Sequence, residues 1–383
     1  RIITTTDELA AFSRELAQRP FFAVDTEFMR EKTYWPILCL IQAAADGAEA
    51  IIDPLADGID LAPFLDLLND TGTTKVFHAA RQDVEIFYHL SGKTPAPMFD
   101  TQIAAMACGF GEQIGYEPLV RSLLGVSIDK AHRFTDWSRR PLSGAQLSYA
   151  LSDVTHLRDA YEIIKPRLDE TGRIGWVESE MSALTNPSLY STPPEEAWTR
   201  LKLRGARPGD IGPLMKLAEW REREAQERNV PRGRVLKDDA LFELARAKPT
   251  SASELSQART IPQGFERSRA ASGILTAIAE GKSIPRGDLP KMEKRDQRNP
   301  APPDVVELLK VLLKRQSEKH DVASRLIASN AELEAIALGN KGVPALEGWR
   351  REIFGQFAEK LLKGEIALTL NKGSIDLIEK PRD

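Results

Sequence analysis

The feature that most constrains this chain is where its strand signals stop. Phe21–Asp25, Ile37–Ala43, Ala50–Asp53 and Lys75–His78 are short apolar runs bounded by turn formers, the pattern of buried strands. Helical periodicity surrounds them near residues 7–18, 61–69, 81–90, 100–107 and 144–169. Strands interleaved with helices predict an α/β domain. The first three runs lie close enough for an antiparallel meander, and a helix then crosses to the fourth, so the sheet is expected to be mixed. The stretch TNPSLYSTPPE at 185–195 cannot continue a helix, and beyond it the strand signals disappear.

The remainder of the chain reads as helices alone. Leu214, Leu217, Ala218 and Trp220, then Leu241, Leu244 and Ala245, carry a helical period on either side of the loop NVPRGRVLKDD. A proline-rich, basic stretch at 283–303 interrupts the pattern, which resumes through Leu361. The expected organisation is an α/β domain over 1–185, a helical bundle over 196–281 and a second over 300–372. The layout suggests a degenerate repeat.

Net charge separates the same two regions. Residues 1–190 hold 17 basic and 27 acidic side chains, a balance of -10, whereas residues 191–383 hold 35 and 29, a balance of +6. A basic half suits a polyanion. No run of apolar residues is long enough to span a membrane, and no basic-then-apolar leader opens the chain, so a cytoplasmic protein with no membrane partner is expected. The start at Arg1 points to a processed or trimmed N-terminus. Cys39 and Cys108 sit among apolar neighbours and read as reduced thiols.

The chemistry-bearing residues cluster in the acidic half. Asp25 and Glu27 end an apolar strand, and side chains two apart on a strand share a face, with Thr26 on the other. Two adjacent carboxylates repel unless a proton or a cation intervenes, which makes them candidate ligands of magnesium or manganese. An isolated D-x-E is more often a polar strand end. Asp83 falls in the first turn of the helix after Lys75–His78, where the helix N-terminus alone explains an acid. Tyr149 and Asp153 are four apart on a helix and share one face. His78 is a second candidate ligand, although a histidine closing a strand is more often structural.

Taken together, VDTEF at 24–28, HAARQD at 78–83 and Tyr149-x-x-x-Asp153 resemble the three motifs of the DEDD 3′-5′ exonucleases, in the tyrosine-containing subgroup. The stretches LCLIQAA at 38–44, FDTQIAA at 99–105 and residues 123–153 extend the similarity, and NVPRGRVLKDDAL is similar to the HRDC modules that follow the nuclease in some members. The resemblance implies an RNase H-like exonuclease domain with a mixed sheet, followed by two all-α HRDC-like domains. It implies that Asp25, Glu27, Asp83 and Asp153 hold two divalent metal ions, Mg²⁺ or Mn²⁺, and that Tyr149 orients the attacking water. Gln82 stands where some relatives carry an acid, which touches no expected ligand. His132 and His156 are read as structural.

The implied partner is RNA with a free 3′ end, transfer RNA precursors in particular, with nucleoside 5′-monophosphates as products and no obligate protein partner. Sequence-tolerant grip on a single strand comes from stacking and phosphate contacts. Thr26, Phe28, Met29, Gln42, His78, Trp137 and Arg140 are the candidate substrate contacts, the last two within a basic and aromatic segment that also holds Lys130, Arg133, Phe134 and Arg139. Arg221, Arg223, Arg228, Arg232, Arg234 and Lys237 gather around one loop of the helical half and suit phosphates. Two other readings stand beside this one: a DNA exonuclease of the Werner or proofreading type, and an inactive nucleic-acid-binding adaptor.

Overall fold

The computed structural model describes residues 1–129, 135–203, 207–261, 264–290 and 300–380; Lys130, His132, Arg133 and Phe134 lie outside them. The four expected strands and two shorter ones form a six-stranded mixed sheet in the order β1-β4-β3-β2-β5-β6. Its strands are β1 (Ile2–Ile3), β2 (Phe21–Met29), β3 (Ile37–Ala45), β4 (Ala48–Ile52), β5 (Thr74–Phe77) and β6 (Met98–Asp100). β2, β3 and β4 are antiparallel neighbours, whereas β1, β5 and β6 pair in parallel. The two-residue β1 and three-residue β6 are too short to carry a sequence period, so neither is announced by the residue pattern.

Helices cover both faces, and strand alternation decides which side chains meet them. Phe22 and Val24 face α1 (Thr6–Leu16), α2 (Ala62–Leu68) and α3 (Arg81–Ser91), packing with Leu9, Phe12, Phe64 and Phe87. Ala23 and Ala44 face α4 (Thr101–Ala107) and the long α6 (Gly144–Glu170), packing with Ala104, Val154 and Leu157. Between these lies α5 (Tyr116–Leu124), and α7 (Ile174–Leu184) comes after α6. A capping box between Ser143 and Gln146 fixes the start of α6, and Asp100 caps α4. β3 is buried over nearly its whole length, as a central strand covered on both faces must be.

The helical half repeats one layout. A long helix, α8 (Ile211–Glu227), is followed by a single turn, α9 (Arg232–Val235), then by α10 (Asp238–Ala247), the short α11 (Ala252–Leu255) and α12 (Arg269–Ser283). The second unit runs α13 (Pro303–His320), α14 (Ser324–Ile327), α15 (Asn330–Ala337) and a helical segment at 348–362. Each long helix ends in the same turn: Asn229 and Asp321 both have positive φ, at 47° and 52°. The next residues, Val230 and Val322, each donate five positions back, to Ala225 and Ser317. No helix among the described residues is long and apolar enough to cross a membrane.

One expectation for this half fails. Strand structure returns at β7 (Ile366–Asn371) and β8 (Ser374–Glu379), an antiparallel hairpin. The Lys372-Gly373 turn, with both residues at positive φ, joins its strands. The boundary expected at 372 therefore cuts a hairpin, and the last unit runs on through Glu379. Its exposed strands alternate weakly, so the signal is lost beside the preceding helix.

Candidate active site

The C-terminal end of β2, the first turn of α5 and the middle of α6 enclose a cleft of about 460 Å³. Asp25, Thr26, Glu27, His78, Tyr116, Tyr149 and Asp153 all line it. Carboxylate oxygens of Asp25, Glu27 and Asp153 come within 4.8 Å of one another. Two of these acids come from one strand face and the third from the helix lying over that face. The spacing within each motif aims them, and the packing of α6 on the sheet brings them together.

Asp83 stands on the opposite layer, outside the cleft lining and outside the three-acid cluster. Its carboxylate accepts a hydrogen bond from the buried Thr26 hydroxyl, so the residue between the two strand acids reaches through to α3 while they face α6. Asp83 is buried, and Asp25 is close enough for its charge to act on it.

This gathering of acids in a desolvated place disfavours their ionised forms. Burial first, and then the charge of Asp153, pushes the Asp25 carboxyl up to about 8. Burial likewise raises Asp153 to about 7, opposed by a hydrogen bond from Tyr149. Asp83 is driven well above the ordinary carboxyl range by burial and then by Asp25, with the Thr26 hydroxyl working in the other direction. The Tyr149 phenol is raised by burial and by Asp153, and it therefore stays protonated at neutral pH.

The sequence reading missed Tyr116. This residue lies in the cleft wall, and its hydroxyl donates to the backbone carbonyl of Asp153 at 2.5 Å and toward that of Ser152 at 3.3 Å. It ties the start of α5 to the turn of α6 that carries Asp153. The only local signal was Gly115 ahead of an amphipathic helix, which marks a helix start and says nothing of a partner 37 residues away.

The candidate substrate contacts divide. Thr26 and His78 line the cleft, with the His78 Nδ1 3.0 Å from the Thr101 hydroxyl oxygen. Phe28 packs against the core beneath α1 to α3, and Met29 against the Cys39, Leu40 and Trp137 cluster. Three others are corrected. Gln42 is fully enclosed in β3 and does not line the cleft. Trp137 is buried, its ring stacked 6.1 Å from that of Tyr149. Arg140 is committed to both oxygens of Asp53 at 2.6 Å and to the carbonyls of Trp137 and Cys39. Basic and aromatic composition suggested a path for substrate, but these side chains build the wall behind Tyr149.

The basic loop of the helical half is similarly occupied. Arg221 pairs with Asp238, Arg223 with Glu219, Arg228 with Glu224 and Arg232 with Glu222. Arg234 and Lys237 form no such pair among the described residues, so the charge available to phosphates there is smaller than the sequence count implied.

Comparison with known proteins agrees with this architecture. Residues 1–169 match a 3′-5′ exonuclease family and residues 214–278 match the HRDC domain. Ribonuclease D of Granulibacter bethesdensis is 48% identical over 98% of this chain and 96% of its own. Ribonuclease D of Nitrobacter hamburgensis is 49% identical over 99% of each. The crystal structure of Escherichia coli RNase D, described as an exoribonuclease involved in structured RNA processing, superposes with a TM-score of 0.81. It shares 30% identity, covering 95% of this chain and 98% of that one. With relatives this similar along its whole length, the chain belongs to the ribonuclease D family.

Proposed function

We propose that the cleft is the catalytic centre of a 3′-5′ exoribonuclease. In this reading Asp25, Glu27, Asp83 and Asp153 hold two divalent ions, magnesium or manganese, and transfer RNA precursors are the substrate. The observation that carries it is the convergence of Asp25, Glu27 and Asp153 oxygens within 4.8 Å at the base of an open cleft. Carboxylates are the hard oxygen donors such ions take. Burial has already raised two of them, and a bound cation would relieve that cost. When bound, such ions supply the charge that acidifies the attacking water and offsets the leaving 3′ oxygen.

The chain's own groups do the rest. Tyr149 keeps its proton and donates a hydrogen bond to Asp153, and its phenol oxygen is the acceptor that would orient the attacking water. It orients and does not deprotonate. Thr26 holds Asp83 in place from the sheet, and Tyr116 fixes the turn bearing Asp153. Residues 1–185 form the nuclease unit of this reading, 196–281 the first HRDC-like unit and the segment from 300 a second.

The test uses a 5′-labelled RNA oligomer with magnesium or manganese. Wild-type protein shortens it from the 3′ end and releases nucleoside 5′-monophosphates. Asp25→Asn reduces this to background, whereas Tyr149→Phe loses on the order of a hundredfold and keeps its metal affinity. Unchanged turnover in Asp25→Asn with metal supplied rejects the reading, and equal hydrolysis of a matched DNA oligomer favours the DNA exonuclease. The pH dependence has a definite sign. Carboxyls raised to about 8 and 7 favour the metal-free fold at low pH and lose that contribution as pH climbs through those values. The rise in melting temperature caused by magnesium should therefore grow from pH 6 to pH 9.

A further inference from the structure

Gln42 presents an unexplained cost. It is the one amide in a strand that otherwise reads Ile-Leu-Cys-Leu-Ile followed by three alanines, and it is fully enclosed. Neither its side-chain oxygen nor its nitrogen has a hydrogen-bond partner among the described residues. A buried amide with nothing to bond is destabilising, and a leucine or methionine would fill the place without that penalty. A group kept at such a cost has a partner in another state of the molecule.

The register identifies that partner. Gln42 lies directly across from Asp25 in the antiparallel β2–β3 pair. Directly opposed residues share a face, with Cβ atoms roughly 5 Å apart, within the span of a glutamine and an aspartate side chain. On that face α6 covers both: Ala23 and Ala44, the next pair along, pack against Val154 and Leu157. Gln42 is walled off from the cleft, so it meets no substrate; the ionisable group on the same face beside it in the register is the Asp25 carboxylate.

We propose that Gln42 is a positioning residue for the metal centre: its amide N–H₂ turns to donate to the Asp25 carboxylate when that group ligates a cation, fixing which oxygen faces the cleft. The inference rests on the proposed role of Asp25 as a ligand. Partners behind a ligating side chain fix its orientation, and losing one lowers metal affinity about 10- to 100-fold.

The test compares wild-type full-length protein with Gln42→Leu and, in case the branched side chain fits poorly, Gln42→Met. Thermal melts without metal and calorimetric titration with magnesium and with manganese are the measurements. The expected pattern is a split: the metal-free melting temperature is unchanged or higher, while affinity for either ion falls at least tenfold. Unaltered metal affinity in both apolar variants would overturn the inference, as would a loss of affinity that tracks a lower metal-free melting temperature. Asp25→Asn in the same titration separates the role of Gln42 from the existence of the centre. If it too binds metal normally, the metal centre itself has been misread; if it alone loses binding, only the role of Gln42 falls.

Discussion

The two helical units are built alike and are fastened to the nuclease in different ways. Each presents the turn that ends its long helix. In the first unit Asn229 accepts from the backbone N–H groups of Tyr34 and Trp35, in the loop that leaves β2. Around it the Tyr34 hydroxyl donates to the buried Glu222 and accepts from Arg232 at 2.8 Å and Gln226 at 3.2 Å. In the second unit Ala323 donates to the Met106 carbonyl at 2.8 Å, and Arg173 spans the joint to the carbonyls of Ala107 and His320. Behind these contacts the apolar interiors merge, with Leu309, Leu312 and Phe354 in one core with Ala104, Leu119 and Val154. One joint is a polar network set around a small separate cluster of Tyr34, Ala225 and Val235, on a loop next to the catalytic strand, and the other is a continuation of the nuclease core. The repeat supplied the same turn twice, and the surface it met decided what the turn became.

The comparison breaks most readily at the merged core. Leu309→Ala, at a fully buried position, should cost about 2–5 kcal/mol. Because the core is shared, urea unfolding followed by circular dichroism should show the nuclease and the second unit shifting together in one transition. A nuclease transition that stays in place would mean that two separate cores merely touch. Gly109 probes the same joint at a single atom. Its φ of +82° suits glycine, and a Cβ there would lie 2.2 Å from the Asp321 carboxylate. Gly109→Ala should cost about 1–3 kcal/mol. Adding Asp321→Gly, which removes the obstructing carboxylate and suits the positive φ at that position, should recover part of the loss.

These joints mark where the sequence stops being readable. Period-two and period-3.6 patterns report which way a residue faces within its own element, and that was enough to set Asp25 and Glu27 on one face and Tyr149 a turn from Asp153 on another. They do not report what lies across the gap. Arg140 looked available to substrate because its partner, Asp53, is 87 positions earlier at the end of β4. Trp137 and Gln42 looked like contacts because aromatic and amide side chains near a motif usually face solvent, and only the packing of α6 on the sheet encloses them. Tyr34 drew no notice at all, since a tyrosine in a loop acquires its meaning from Glu222, 188 residues away. The basic second half was legible as a sum, but the sum hid how many arginines were already paired.

The polar joint carries the smallest expected effect and the sharpest signature. Tyr34→Phe removes one hydroxyl from the group around Glu222, worth about 1–2 kcal/mol. The nuclease midpoint in urea should hardly move, while amide hydrogen exchange in the 30–36 and 222–234 segments should quicken by about tenfold. Acid should do the same to the wild-type protein. Hydrogen bonds from Arg232 and Tyr34, with the charges of Arg232 and Arg200, hold Glu222 below the ordinary carboxyl value despite its burial. A lowered carboxyl contributes stability that is complete above its unfolded value of 4.5 and fades as pH falls below it. The other joint also holds carboxylates, Glu112 accepting from the Arg325 backbone N–H and Glu180 from Arg350, but it rests on the merged apolar core, which does not titrate. Exchange corrected for its intrinsic pH dependence should therefore open the 222–234 segment between pH 5 and pH 3.5 before the 320–327 segment. Simultaneous opening of both would show that the two joints share one cooperative unit despite their different chemistry. If the first unit lets go alone, Tyr34→Phe should impair trimming of a structured RNA more than that of a short single-stranded oligomer. The loop it holds leads straight from the strand that carries Asp25 and Glu27, so loss on both substrates equally would place its effect in the cleft.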